Sequence, residues 1–374
     1  MATPKWTVSE HRGRSGLQEL ETDWRRLYST MPQRSLHHSF GAYSAYLNWL
    51  CGNPDEVRHL ALHDEREVRA ICPLEPRFIR AFGKTIPAWG LPWHSHWQIT
   101  DVIAPEDDAR AALLPATVPY LRRRHEGRRT LLAGPLPQAS RLWEGLEGLG
   151  ATKYLATSSR PSYVVDCSRT YNELFSALSK NLRQNLRKSR NRLSTFGGVR
   201  FVAAHNGEDL ERELDSFLSV EASGWKGEQG AQSAILLNPR LAGFYRDLVT
   251  SLRGSGDRCE IHSLYVENRC ASSIIRVRTG DEFALLKIAY DETFAQLGPG
   301  QLLIDRMLRD CCEDTEISSI NFLSDAPWLR VWGVNELPMQ QAHVAVGRLA
   351  GRPTVSYLGL RHSVARRLPQ RLRK

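Results

Sequence analysis

The stretch AQLGPGQLL, Ala295 to Leu303, sets two glycines around a proline where an apolar run ends and a helical pattern begins. A glycine-rich turn in that position aims backbone N–H groups and the positive end of a helix at an anion, an arrangement that suits a pyrophosphate or a phosphate ester. Pro299 presets the turn and has no N–H to waste there. Gln296, Gly298, Gly300 and Gln301 are the residues such a grip would use. The same pattern also serves an ordinary strand-to-helix loop. A second stretch, SKNLRQNLRKSRNRL from Ser179 to Leu193, holds six basic residues among fifteen and no acid. At about 100° per residue, Leu174, Leu178, Leu182 and Leu186 fall on one side of a helix and Lys180, Arg183, Arg187 and Arg190 on the other. The leucines account for packing. The cations are either a solvated face or a stripe spaced for phosphates, such as those of a tRNA acceptor arm. The tail RHSVARRLPQRLRK repeats the choice.

Other chemistry is thinner. GWKG, Gly224 to Gly227, puts an aromatic ring and a cation in a glycine-flanked loop. His94 and His96 in WHSHW form a pair without a third ligand nearby, so no metal site is expected, and the aromatic loop reads better as substrate-facing. Seven cysteines, an odd number without CxxC spacing, read as reduced thiols. No Ser-His-Asp or Cys-His arrangement stands out.

These residues need a scaffold of some size. The 374-residue chain exceeds what one core usually serves, and 41% hydrophobic content with ten Trp supplies the packing. Apolar runs such as FALLKIAY are strand-sized, far short of a membrane span. With no apolar leader at the N-terminus, the expected compartment is the cytoplasm. A net charge of +9 favours anionic partners.

The first half reads as a strand near Trp6–Glu10 and helices near Leu17–Tyr28 and Tyr43–Leu50. A hairpin across HDERE follows, then a strand near Gln98–Ile103, a helix near Asp107–Arg124, the strand RTLLAG and a helix near Gln138–Leu149. The second half opens on the basic helix and the strand Val199–His205. Helices near Asp209–Ser223 and Arg240–Leu252 precede three strands in series, a helix Gln301–Cys312, the strand ISSINFL and strands near His343–Arg348 and Val355–Leu358. Both halves run strand, two helices, strands, helix, strand, and LALHDEREVRA and LYVENRCASS occupy equivalent places. Such duplication sets the expected architecture as α/β, two tandem domains at 1–160 and 161–374, each a mixed, mostly antiparallel sheet flanked by helices.

The repeated order resembles GNAT-type acyltransferases with a duplicated fold, the branch that includes cellulose-biosynthesis acetyltransferases, with the Fem-type peptidyltransferases as cousins. The resemblance rests on LSKNLRQNLRKSRNRLSTFGG, VEASGWKGEQGAQSA and AYDETFAQLGPGQLLIDRML. It implies that the second domain binds the donor and carries catalysis, while the first is structural or holds the acceptor. Ordinary members carry a Gln/Arg-x-x-Gly-x-Gly/Ala loop; Gln296, Gly298 and Gly300 give one residue fewer. Ser324, Trp328 and Leu329 stand nearest the places where relatives often have Gly and then Tyr-Lys.

Acyl transfer to an amine needs an unprotonated amine, an oxyanion donor and an acid for the leaving group. At the cleft the resemblance implies, Asp325 at the end of a predicted strand is a candidate base and Tyr290, which ends the preceding strand, a candidate acid, with Glu221 and Lys226 close by. Each also reads as a surface or capping residue, and Trp225, Lys226, Trp328 and Trp332 are either substrate-binding or core-anchoring residues. The first expectation is an N-acyltransferase using acyl-CoA on an amine of a small molecule or sugar precursor, without a metal. The second is an aminoacyl-tRNA-dependent transferase forming an amide in a cell-wall or natural-product precursor. The third is a non-catalytic binding protein on a transferase fold.

Overall fold

The structure is a computed structural model that describes residues 6–125, 127–150, 153–252, 256–347 and 351–367. The chain divides into two compact units, one of residues 1–32, 51–160 and 338–374, the other of 33–50 and 161–337. The chain passes from the first unit to the second after Arg160, but a single cut there does not describe the units. Residues 33–50 belong with the second unit, and the chain returns after Leu337 to complete the first.

In the first unit the sheet order is Thr7–Arg12, Arg58–His63, Val68–Ala81, Lys84–Gly90, Thr130–Pro137, Met339–Ala345, Tyr154–Ser158. The first four strands are antiparallel neighbours, and Lys84–Gly90 meets Thr130–Pro137 in parallel at Trp89↔Leu131 and Gly90↔Leu132. Helix Asp108–Arg124 makes the crossover, as a parallel pair requires. Its face of Ala109, Leu113, Leu114, Val118 and Leu121 packs into the core beside Leu131, Ala133 and Val344.

The second unit repeats the plan. Its order is Arg200–Ala204, Arg258–Val266, Arg269–Thr279, Glu282–Tyr290, Ser319–Asn321, Ser162–Asp166, Asn335–Leu337. Again four antiparallel strands lead to one parallel contact, here Glu282–Tyr290 with Ser319–Asn321, and again a helix, Pro299–Glu313, makes the crossover. The two hairpins expected to be equivalent, at HDERE and ENRC, occupy matching places in the two sheets.

The basic stretch forms helix Lys180–Leu193, separated by an extended Leu178 from the short helix Tyr171–Ala177. Ser179 starts it by accepting a hydrogen bond from the Leu182 N–H at 3.2 Å. Leu174, Leu178, Leu182 and Leu186 are all buried in the core, at about 1.5–3 kcal/mol per buried leucine.

Several local expectations change. Gln98–Ile103 holds only an isolated bridge, Ile71↔Ile103, and Lys84–Gly90 forms a further strand. The segment with Val355–Leu358 is not a strand but part of helix Gly351–Arg367. The last seven residues of the basic tail lie outside the described residues.

Candidate active site

Strand Glu282–Tyr290 begins paired and ends unpaired on one side. Its parallel contact covers only Glu282↔Ser319, Phe283↔Ile320 and Ala284↔Asn321. Beyond Asn321 the chain turns to the other neighbour: the Phe322 N–H bonds to the Tyr163 carbonyl at 2.8 Å and the Tyr163 N–H to the Ser324 carbonyl at 3.0 Å. The Asn321 side-chain oxygen pins this turn, accepting from the Leu323 N–H at 2.9 Å and from the Ser162 hydroxyl at 2.6 Å. Leu323 is held at φ +50°, a conformation that costs a bulky residue about 1 kcal/mol or more. The split is thus built by specific bonds. It leaves Leu285 to Tyr290 without a strand partner on that edge among the described residues. A bulge accompanies it: Arg276 pairs with Leu285 and Ile275 with Lys287, so Leu286 is the extra residue.

The open edge leads to the glycine loop. After Tyr290, the Asp291 side chain caps a short 3-10 helix, Glu292–Leu297, and is itself held by Arg269 at 2.7 Å. Gly298 takes φ +59°, the left-handed region that glycine enters without strain, and Pro299 occupies the first helical position. Helix Pro299–Glu313 has no side-chain cap. The N–H groups of Gly300 and Gln301 find no acceptor among the described residues, leaving the positive end of a fifteen-residue helix uncompensated. A Cβ built on Gly300 would lie 3.7 Å from Ile288 and 3.9 Å from Tyr290, which places the end of the open strand against the helix start. Arg192 braces the loop through the Gln296 carbonyl at 2.9 Å.

On helix Gly207–Ser223, Glu221 is buried and both its oxygens are engaged, by Lys226 Nζ at 2.9 Å and by the Ile235 N–H at 2.8 Å. Trp225 is 64% exposed, and its N–H bonds to Glu292 of the glycine loop at 3.2 Å. Trp225 and Lys226 therefore stand close to the loop. Asp325 is half-buried just past the split, and Trp328 and Tyr290 are about half exposed. Trp332 is 1% exposed and belongs to the core, so it anchors the turn after Asp325 and does not face a ligand.

The basic stripe does not stay together. Arg190 is tied to Asp305 and to the Tyr171 hydroxyl and lies over the Phe175 ring. Arg183 is half-buried with its Nε unbonded, and of the four only Lys180 and Arg187 are exposed. A cavity of about 320 Å³ opens between the end of this helix and the flank of Pro299–Glu313, walled by Arg190, Leu193, Phe196, Phe201, Leu302 and Arg309. It includes no residue of the split strand.

Two titratable groups on that strand escape a reading of the sequence. Burial raises the Glu282 carboxyl to about 7, with Asn321 Nδ2 at 3.5 Å pulling the other way. Burial, helped by the positive charge of Lys226, lowers the Lys287 amine to about 8. Within FALLKIAY the lysine looks like a solvent-facing member of an alternating strand; only the fold encloses it.

Residues 180–328 match the acetyltransferase (GNAT) domain family. Among solved structures the chain is similar to FemX at 10% identity, with 86% of this chain and 95% of that one covered and a TM-score of 0.58. A conserved protein of unknown function from Bacteroides thetaiotaomicron gives 14% identity, 88% and 97% coverage and a TM-score of 0.55. A tandem GNAT protein from the clavulanic acid biosynthesis pathway gives 12%, 91% and 98%, and 0.50. The chain has a tandem GNAT fold. The repeated sheets and helical crossovers are the two GNAT units, and the split strand with its glycine loop lies in the second. No curated protein matches the sequence significantly. Among the described residues no helix is long and apolar enough to cross a membrane.

Proposed function

We propose that the protein is an N-acyltransferase that takes its acyl group from acyl-CoA and passes it to an amine on a small molecule or sugar precursor. The observation that carries this reading is the open edge of Glu282–Tyr290 running into an uncapped helix start. An extended chain bearing two amides, as pantetheine does, can bond along an unpaired strand edge, while a pyrophosphate takes up the free N–H groups of Gly300 and Gln301. Gln296 and Gly298 complete that grip. In this reading Tyr290, half exposed at the end of the open strand, protonates the departing thiolate. Asp325 is the base that the sequence nominates, acting directly or through water. Glu221, Lys226, Trp225 and Trp328 line the approach of the acceptor. Holding thioester and amine together supplies much of the rate in such a reaction.

Transfer from aminoacyl-tRNA, with amide formation in a cell-wall or natural-product precursor, is the second reading, favoured by the likeness in fold to FemX. The ion pair of Arg190 with Asp305 weighs against it, because a committed arginine is a poor phosphate ligand. A non-catalytic binding role has no supporting observation beyond the departures near Ser324–Leu329. Isothermal titration with acetyl-CoA and longer acyl-CoAs decides: binding to at least one is expected, and binding to none removes the first reading. Persistence of activity with charged tRNA after R183E, R187E and R190E would remove the second.

A further inference from the structure

Lys287 lies on the open half of the strand, directly after the bulge at Leu286. It is half-buried, and no carboxylate comes within ion-pair reach among the described residues. The charges that act on it are Lys226 and Glu221. Glu221 cannot turn to it without giving up Lys226 or the Ile235 N–H, and its charge also acts on buried Tyr245 from helix Pro239–Ser251. An amine enclosed this way, beside another cation and without an acid of its own, is stabilised as the neutral base.

We propose that the Lys287 amine is the proton acceptor of the transfer, serving a primary amine that reaches the split strand from the side of helix Gly207–Ser223. This deepens the acyltransferase reading and rests on it. One N–H bond of the acceptor ammonium breaks and its proton passes to Lys287. The freed lone pair forms the C–N bond at the thioester carbonyl carbon, and the C–S bond breaks with its electrons going to sulfur. The thiolate takes the second amine proton, directly or from Tyr290, and Lys287 returns its own to water. A base titrating near 8 suits this task, since far more of it is neutral near pH 7–8 than of an ordinary lysine, yet it is basic enough to draw a proton from an ammonium. The ion pair with Glu221 holds the Lys226 cation in place beside Lys287, where its charge favours the neutral amine while Glu221 partly offsets it.

The test compares acceptors that need a base with one that does not. Wild type, K287M, K287R and D325N are assayed for CoA release from acetyl-CoA with a panel of alkyl primary amines and with hydroxylamine, which is already neutral at pH 7. With alkyl amines, K287M and K287R are expected to lose about 100-fold or more in kcat, and the wild-type rate to rise with pH to a midpoint near 8. With hydroxylamine the loss is expected to be about tenfold or less. Equal losses with both nucleophiles assign Lys287 a structural role and overturn the proposal, as does an intact K287R beside an inactive D325N. Carbon-13 NMR of the reductively methylated protein follows the Lys287 amine without any acceptor: a midpoint near the ordinary lysine value overturns the proposal whatever acetyl-CoA does. Failure of wild type to bind acetyl-CoA instead overturns the reading on which it rests.

Discussion

The two units build the same crossover and finish it differently. In the first, helix Asp108–Arg124 is capped by Asp107, whose carboxylate accepts from the N–H groups of Ala109 and Arg110 and is also paired with Arg69. In the second, helix Pro299–Glu313 starts at Gly298-Pro299-Gly300 with no cap. The strands differ too. Lys84–Gly90 ends where its parallel contact lies, at Trp89 and Gly90, and the Leu91 N–H bonds on to the Leu132 carbonyl. Glu282–Tyr290 makes its contact at its first three residues and then runs on alone. One copy thus satisfies its own helix end and pairs the last residues of its strand, whereas the other leaves both the helix start and the last residues of the strand available on that edge. In the proposed reading the same fold serves as support or site according to whether an aspartate or a glycine precedes the helix and where the two strands part.

The largest effect is expected where a negative charge is set inside the second copy's uncapped helix start. Gly300→Asp puts a carboxylate at the helix start, where a bound phosphate would meet it, and is expected to weaken acyl-CoA binding about 100-fold, a loss of about 2.7 kcal/mol measurable by titration calorimetry. The converse change, Asp107→Gly in the first copy, should create no binding and cost stability only, by up to about 1 kcal/mol in urea unfolding.

Next in size is the split itself. Asn321→Ala removes the acceptor for the Leu323 N–H and the Ser162 hydroxyl, so both are left buried without it; a loss of about 1–3 kcal/mol in stability is expected, together with a fall in kcat.

The two half-buried titratable groups on the strand add a dependence on pH. Glu282 has a folded value near 7, above its unfolded 4.5, so the folded state holds the proton more tightly and stability falls as pH rises from about 4.5 to about 7. Glu282→Gln should therefore be the more stable protein at pH 8, by about 1–3 kcal/mol, with the advantage vanishing below pH 4.5. Lys287 is lowered from 10.5 to about 8, so its contribution makes stability rise between those values, and Lys287→Met should stabilise at pH 7 and lose that benefit above pH 10.5. Thermal melts across pH 4–11 check both slopes.

The smallest effect is expected on the basic helix. Lys180→Glu with Arg187→Glu changes exposed residues and should leave acyl-CoA affinity within about twofold, with stability altered by no more than about 0.5 kcal/mol. A large loss would revive the tRNA reading.

Much of this comparison was legible in the residues. Leucine spacing gave the packed face of Lys180–Leu193, the hairpins at HDERE and ENRC aligned the halves, and Gly298-Pro299-Gly300 marked a helix start without a side-chain cap. What stayed hidden depends on partners distant in sequence. The exchange of residues 33–50 and 338–374 between units is a matter of which core they fill, and local pattern carries no record of it. Thr354, Val355 and Tyr357 favour a strand on propensity, yet Thr354 and Val355 are buried on a helix. Trp332 and Trp328 look alike in sequence, and only packing separates a core anchor from an exposed ring. The split needs Asn321 to meet Leu323 and Ser162, the last of them 159 residues away. Lys287 needs a sheet around it before its charge becomes costly.

The central claim is that the donor is held by the second unit's open strand and glycine loop and not by their counterparts in the first. Hydrogen exchange read by mass spectrometry, with and without saturating acetyl-CoA, tests it most directly. The account predicts slowed exchange across residues 285–301 and no change across 84–112. Protection at 84–112, or at neither segment despite measured binding, would contradict it.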